Sequence, residues 1–324
     1  MTLRHAPLIA GLALAALFAP LPAAAQQPAK APRIGVLLFG TPQGDAGFFL
    51  QGLQALGYVD GKNIAIDYRY AEGKAERLSD LAAELVRLKP DVIFALGGDV
   101  APVAKKATGT IPIVMSVSND PVLAGLVASI GRPGGNVTGV TLIQDELAGK
   151  ILELLKEAAP RVSRVAILWN PDHADPEFRE TQHAARALGV QLQSLEVRGP
   201  GDFDRAFQAA TRERAEALIV VSSRLLFLHR QRIGDFAAKN RLVLAGGWGP
   251  WMEVGALLTY GPNFGDMIRR TATYVDKILK GVRPADLPVE RPTRFELKVS
   301  LKTSKALGLT IPPSVLVRAD QVIQ

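Results

Sequence analysis

The side chains able to do chemistry gather at the ends of short apolar runs. Residues 111–115 (IPIVM) lead straight into Ser116, Ser118, Asn119 and Asp120. Residues 91–96 end in Gly97-Gly98-Asp99, 164–169 in Asn170-Pro171, 217–221 in Ser222-Ser223, and 242–245 in Gly246-Gly247-Trp248. The first run, 33–39, opens into Gly40-Thr41, and residues 256–260 close on Tyr260. Small hydroxyls and backbone N–H groups at helix starts suit a carboxylate. An Asp suits an ammonium group, and Trp or Tyr suits a flat or apolar body. This is chemistry for holding a molecule. Each of these residues also has a local use. Asp99 and Asp120 fit helix caps, and Asn170 before Pro171 fits a turn. Thr41 can shape its loop, Ser222 and Ser223 can satisfy nearby backbone, and Trp248 and Trp251 can simply bury area.

Bond-making chemistry finds little support. The patterns GxxxxGK[ST], GxGxxG after a strand, and GxSxG do not occur, which argues against nucleotide sites of those types and an α/β-hydrolase elbow. Past residue 25 there are three histidines, His173, His183 and His229, and none pairs at HxxxH or HExxH spacing. Zinc catalysis therefore has no basis, and the three read as solvated surface residues. Asp145-Glu146 and Glu213/Glu216 read as solvated helix faces with basic neighbours, not acid/base couples. With no Cys, disulfides and cysteine-based metal sites are excluded. The expectation is a binding protein with no catalytic residues, no metal and no cofactor.

The first 25 residues differ from the rest. Arg4 and His5 precede an apolar run at 8–18, Pro20 and Pro22 break it, and Ala23-Ala24-Ala25 offers small residues for cleavage. That is the pattern of a cleavable signal peptide, and the run is too short to span a bilayer comfortably. An exported, periplasmic protein is expected. The formal charge of +7 falls to +6 when Arg4 leaves with the leader. The basic residues are dispersed among acidic ones, so a nucleic-acid partner is not expected.

The elements that must position the strand-end residues follow from periodicity. Apolar runs of 5–7 residues alternate with amphipathic helical stretches such as 77–88 (RLSDLAAELVRL), giving β-α-β-α order twice over. Residues 63–70 alternate as Ile64, Ile66, Tyr68 and Tyr70, which predicts a strand nearer a sheet edge. A short apolar helix is predicted at 122–130, one helix at 226–239, a long helix at 264–279, and a last helical stub after Pro312-Pro313. The fold class is α/β, with two parallel-sheet lobes in series, and ligands in such folds bind outside the carboxyl ends of strands.

Several long motifs then carry a resemblance: QGLQALGYVDGKNIAIDYRYAEG (51–73), DPVLAGLVASIGRPGGNVTG (120–139), ILELLKEAAP (151–160), VDKILKGVRPADLPVERPTRFEL (275–297) and KALGLTIPPSVLVRAD (305–320). Over residues 33–324 the chain resembles the ABC-transporter substrate-binding proteins that include tryptophan- and tyrosine-binding members, with a type I periplasmic-binding-protein fold. The resemblance implies two doubly wound lobes joined by three crossings, one at 33–141 plus 256–286 and the other at 142–255 plus 287–324. It implies a cleft lined by Thr41, Gly98, Asp99, Ser116, Ser118 and Asp120 from one lobe and by Asn170, Ser222, Ser223 and Trp248 from the other, with Tyr260 near the third crossing. It also implies a monomer that delivers a small polar ligand, an amino acid being one candidate, to an ABC permease. An exported sensor presenting its closed form to a membrane receptor kinase would read the same way. The chain departs from the family at EVGALLTYG (253–261), at GGWGPW (246–251), and at Ser116 and Ser118, where a Gly-containing stretch is common. These are pocket positions, so the ligand of the aromatic-amino-acid members is not carried over.

Overall fold

Parallel strands buried on both faces organise the protein. The computed structural model describes residues 31–41, 46–142, 145–173 and 176–324. The expected leader at 1–25 lies outside the described residues. Residues 32–324 form one compact unit. Its first half runs β1 (Arg33–Leu38), α1 (Ala46–Ala55), β2 (Ala65–Tyr70), α2 (Leu78–Arg87), β3 (Val92–Leu96), α3 (Val100–Ala107), β4 (Ile113–Val117) and β5 (Val137–Thr141). The strands form one parallel sheet in the order β2-β1-β3-β4-β5. β2 is at the edge, as its alternating pattern predicted.

Alternate residues of β1 serve two cores. Ile34, Val36 and Leu38 pack with Phe49 and Leu53 of α1, and Leu37 packs with Leu78, Leu81 and Leu85 of α2. Helices on both faces explain the near-continuous apolar runs.

The second half runs α4 (Asp145–Ala158), β6 (Arg164–Trp169), α5 (Glu177–Ala187), β7 (Gln191–Glu196), α6 (Phe203–Arg212), β8 (Ala217–Val220), α7 (Arg224–Leu228), α8 (Arg230–Lys239), β9 (Val243–Gly246), β10 (Leu258–Pro262), α9 (Phe264–Leu279), β11 (Phe295–Ser300), α10 (Leu301–Leu307), α11 (Pro313–Leu316) and β12 (Gln321–Ile323). A seven-stranded sheet has the order β12-β11-β10-β9-β8-β6-β7. All its pairs are parallel except β10 with β11.

Strand pairing moves both late lobe boundaries expected from the sequence. β10 pairs with β9 and β11, so residues 258–262 belong to the second sheet and not to the first lobe. α9 returns to the first sheet: Ile268, Ala272 and Val275 share a core with Ile34, Val36 and Phe94, and Tyr58 Oη donates to Asp276 at 2.9 Å. Residues 287–290 then run along β5. Thr141 N donates to Glu290 O at 2.9 Å, and Thr138 Oγ1 to Leu287 O at 2.6 Å. That contact satisfies part of an otherwise bare sheet edge. It places 287–290 with the first sheet, and the second resumes at β11.

Two helix expectations change as well. Residues 121–126 form consecutive turns instead of a helix. Asp120 Oδ1 accepts from Val122 N and Leu123 N at 2.7 and 3.1 Å, and Gly125 sits at φ +66°. The expected helix at 226–239 is two, broken at His229, which is half-buried and packs on Phe203 with ring centroids 5.0 Å apart. Burial, then the nearby Arg232 charge, lowers the His229 pKa.

Glu216 has a structural use that its sequence pairing with Glu213 did not suggest. Its carboxylate accepts from Ser163 N at 2.7 Å, Arg164 N at 3.0 Å and the Arg164 guanidinium at 2.6 Å. Burial alone raises its pKa, but these donors outweigh that and hold it below the ordinary value. Glu216→Gln is expected to cost about 1–2 kcal/mol at neutral pH, read as a lower unfolding midpoint. A carboxylate whose folded pKa is depressed stabilises above its unfolded pKa. The deficit should therefore shrink as pH falls below about 4. Equal stability of the two proteins at pH 7 would refute this role.

Candidate functional site

Strands β1, β3 and β4 of the first sheet and β6, β8 and β9 of the second end toward one another, and their terminal residues meet across the lobes. Ser118, just past β4, is 3% exposed. Its hydroxyl donates to Ser222 O, just past β8, at 3.1 Å. The same oxygen lies 3.0 Å from His173 Nε2. His173 Nδ1 lies 3.1 Å from Asp99 Oδ1. Asp99 and Ser118 come from the first lobe, and His173 and Ser222 from the second.

His173 corrects the sequence reading. It is 4% exposed instead of solvated. The one available signal was its place in a strand-end loop, three residues past Asn170. Asn170 builds that loop, accepting from Asp172 N at 3.0 Å through its side chain and from His173 N at 3.1 Å through its carbonyl. Asp99 makes no capping bond to α3 from its side chain and instead reaches His173. Gly98 lets the ring approach, because a Cβ there would stand 2.2 Å from His173 Cε1.

The other expected residues divide by what they do. Asp120 caps its own turn. Ser223 caps α7, accepting from Leu226 N at 3.2 Å. Ser116 Oγ, Ser222 Oγ, Asn119 Oδ1 and Trp248 Nε1 are buried and make no hydrogen bond among the described residues. Buried polar atoms left in this way are uncommon, and here they stand at strand ends. Trp248 is 1% exposed and packs on Phe227 and Phe264, with centroids 5.3 and 5.1 Å away. Tyr260 lies apart from that cluster, on the face of β10 that packs with Phe295.

Thr41 lines a cavity of ≈ 470 Å³ between the lobes, together with Phe48, Arg224, Phe227, Arg230 and Phe264. Arg224 was not singled out in the sequence. It is 6% exposed, an unusual position for an arginine. Its stem lies on Gly97, where a Cβ would stand 2.8 Å from Arg224 Cγ, and its Nη2 lies near Gly40. Both guanidinium carbons flank the Phe227 ring, Arg224 Cζ at 5.3 Å and Arg230 Cζ at 4.6 Å from its centroid. The arrangement offers fixed planar donors beside aromatic faces, which matches a carboxylate attached to an apolar body. Among the described residues no cluster of three His, Cys, Asp or Glu side chains is arranged to hold a metal ion.

The model of the ABC transporter substrate binding protein family matches residues 44–323. The chain belongs to that family. A tyrosine-binding protein of Clostridioides difficile (strain R20291) is 26% identical over 264 residues, which is 81% of this chain and 75% of that protein. A Streptococcus pneumonia ABC domain solved in complex with L-Trp is 26% identical, with a TM-score of 0.83 over 90% of this chain and 99% of that one. A conserved domain protein from Vibrio cholerae is 29% identical, with a TM-score of 0.84 over 90% of this chain and 100% of that one. The two α/β lobes are those of a type I periplasmic binding protein. No helix among the described residues is long and apolar enough to cross a membrane.

Proposed function

We propose that this substrate-binding protein is exported by its N-terminal leader, captures a small carboxylate with an aromatic or apolar body between its lobes, and delivers it as a monomer to an ABC importer. The observation that carries the ligand class is the cavity holding Arg224 and Arg230 against Phe48, Phe227 and Phe264. Relatives that bind tyrosine and L-Trp make aromatic amino acids the first candidates. Thr41, which lines the same cavity, is the additional polar contact we assign to the ligand, while Ser116, Ser222 and Trp248 are buried behind it. Gly98, Asp99, Ser118 and Asn170 form or support the closing contact between the lobes. Asp120 and Ser223 serve local caps. Asp99 is turned toward His173, so neither it nor Asp120 is assigned to a ligand ammonium, as the sequence had suggested. Binding is by lobe closure, with no bond made or broken.

The test is thermal unfolding of protein without the leader, unfolded and refolded to strip bound ligand. The panel is L-tryptophan, L-tyrosine, the other amino acids and simple aromatic carboxylates. A ligand of the folded state at ~100 times its dissociation constant adds ~2.7 kcal/mol, a clear upward shift. A shift confined to carboxylates with apolar bodies is expected. No shift with any carboxylate would sink the ligand class.

A further inference from the structure

We propose that Glu253 makes the inter-lobe cavity selective for zwitterions, taking a ligand ammonium group while the guanidiniums take its carboxylate. The inference rests on the carboxylate reading above and adds a second charge to the ligand. Glu253 is the one acidic side chain among the described residues that line the ≈ 470 Å³ cavity with Arg224 and Arg230. It is exposed, and among the described residues it makes no hydrogen bond or ion pair.

Its place is fixed by packing. Glu253 rides on a tight helical turn at Gly249–Val254, between β9 and β10. Trp251 of that turn is 1% exposed, and Ala256 N donates to Trp251 O at 3.1 Å. Val254 lies so close to α8 that a Cβ on Gly234 would stand 2.4 Å from its carbonyl oxygen. Gly255, at φ +91°, ends the turn. The cavity shares one wall with a second cavity of ≈ 420 Å³, and Glu253 stands on that wall with Phe48, Pro250 and Phe264. Arg224, Arg230 and Phe227 are not on that wall. Carboxylate and guanidiniums therefore face the ligand space from different walls. All three charged residues belong to the second lobe, so their spacing is set before the first lobe closes over them.

Closure is what makes the second charge matter. Covering Glu253 with a ligand that has only an apolar body strips water from the carboxylate and returns nothing. An ammonium there turns the same dehydration into a charge-assisted hydrogen bond. The residue thus rewards one ligand class and penalises another, which is how specificity arises as a difference of affinities.

Titration calorimetry on the stripped, leaderless protein tests this with matched probes. They are L-phenylalanine, hydrocinnamate (the ammonium removed), phenethylamine (the carboxylate removed) and para-aminomethyl hydrocinnamate (the ammonium moved to the far end). One of the two zwitterions is expected to bind at least about tenfold more tightly than hydrocinnamate. The one that wins tells on which side of the body the ammonium lies. Glu253→Gln should bring that preference to within about threefold. It should also bind hydrocinnamate at least as well as the wild type does, a result that mere loss of structure would not produce. Thermal unfolding confirms that the variant is folded. Hydrocinnamate binding as tightly as both zwitterions would overturn the assignment and leave the carboxylate class standing. A Gln variant that keeps the full preference would do the same. Binding by none of the carboxylates, or phenethylamine binding as tightly as phenylalanine, would remove the carboxylate reading and this inference with it.

Discussion

Replacing Gly98 with alanine will cut ligand affinity by about 100-fold while leaving both lobes folded. The added Cβ would stand 2.2 Å from His173 Cε1 and 3.0 Å from the Asn119 amide. No real contact is that short, so the ring or the loop must move. The ring is pinned on one side by Ser118 and on the other by Asp99, and it is almost fully buried. Overpacking of this kind costs about 1–3 kcal/mol, and the upper part of that range corresponds to 100-fold in affinity. The severe clash, with His173, is between lobes and falls on the closed form, whereas the tight contact with Asn119 lies within the first lobe. Gly98→Ala should therefore stay folded, bind weakly, and scatter as a more open particle. Serine at the same position should behave alike. Wild-type affinity in the alanine variant would mean that His173 and Gly98 do not meet in the ligand-bound protein.

The same residues show how far the sequence could be read. The apolar runs of β1, β3, β4, β6 and β8 were legible because strands buried on both faces must be apolar throughout. Their ends were singled out because ligands in open α/β sheets sit there, and in the structure those of β3, β4, β6 and β8 meet across the lobes. What those ends do to one another was not legible. Asp99 and Ser118 were picked for a ligand, yet both reach His173, a residue 55 or more positions away in the chain. His173 was read as surface because no second histidine stood at a metal-ligand spacing, and burial across a lobe interface leaves no periodic trace. Arg224 was hidden for the same reason. It stands two residues before the helix predicted at 226–239, it begins a separate five-residue helix, and its environment comes from Gly40 and Gly97 in the other lobe. The lobe boundaries near 256 and 287 were misplaced because pairing of β10 with β9, and of 287–290 with β5, is decided in space. The turns at 121–126 displaced a predicted helix because Asp120 caps a turn as readily as a helix.

Removing the Arg224 guanidinium should abolish discrimination between a carboxylate ligand and its neutral amide. The wild type is expected to bind the acid at least about 100-fold more tightly than the carboxamide. Truncating one partner of a buried, hydrogen-bonded charge pair costs about 2–5 kcal/mol, so Arg224→Ala should weaken the acid by a similar factor. It should affect the amide far less. Arg224→Met, which keeps most of the stem that lies on Gly97, separates lost charge from lost packing. Arg224→Lys should recover only part of the affinity, because an ammonium lacks the planar fork that meets a carboxylate at two points. Arg230 is less buried and bonds only to Phe227 O at 3.4 Å among the described residues. Its alanine variant should cost about tenfold or less, in keeping with a partly solvated cation. Titration calorimetry with the best carboxylate from the unfolding panel, and with its amide, reads all of these. An Arg224→Met variant that still prefers the acid by the wild-type factor would remove Arg224 from the carboxylate site. The anion would then have to be held by Arg230 or Thr41, which line the same cavity.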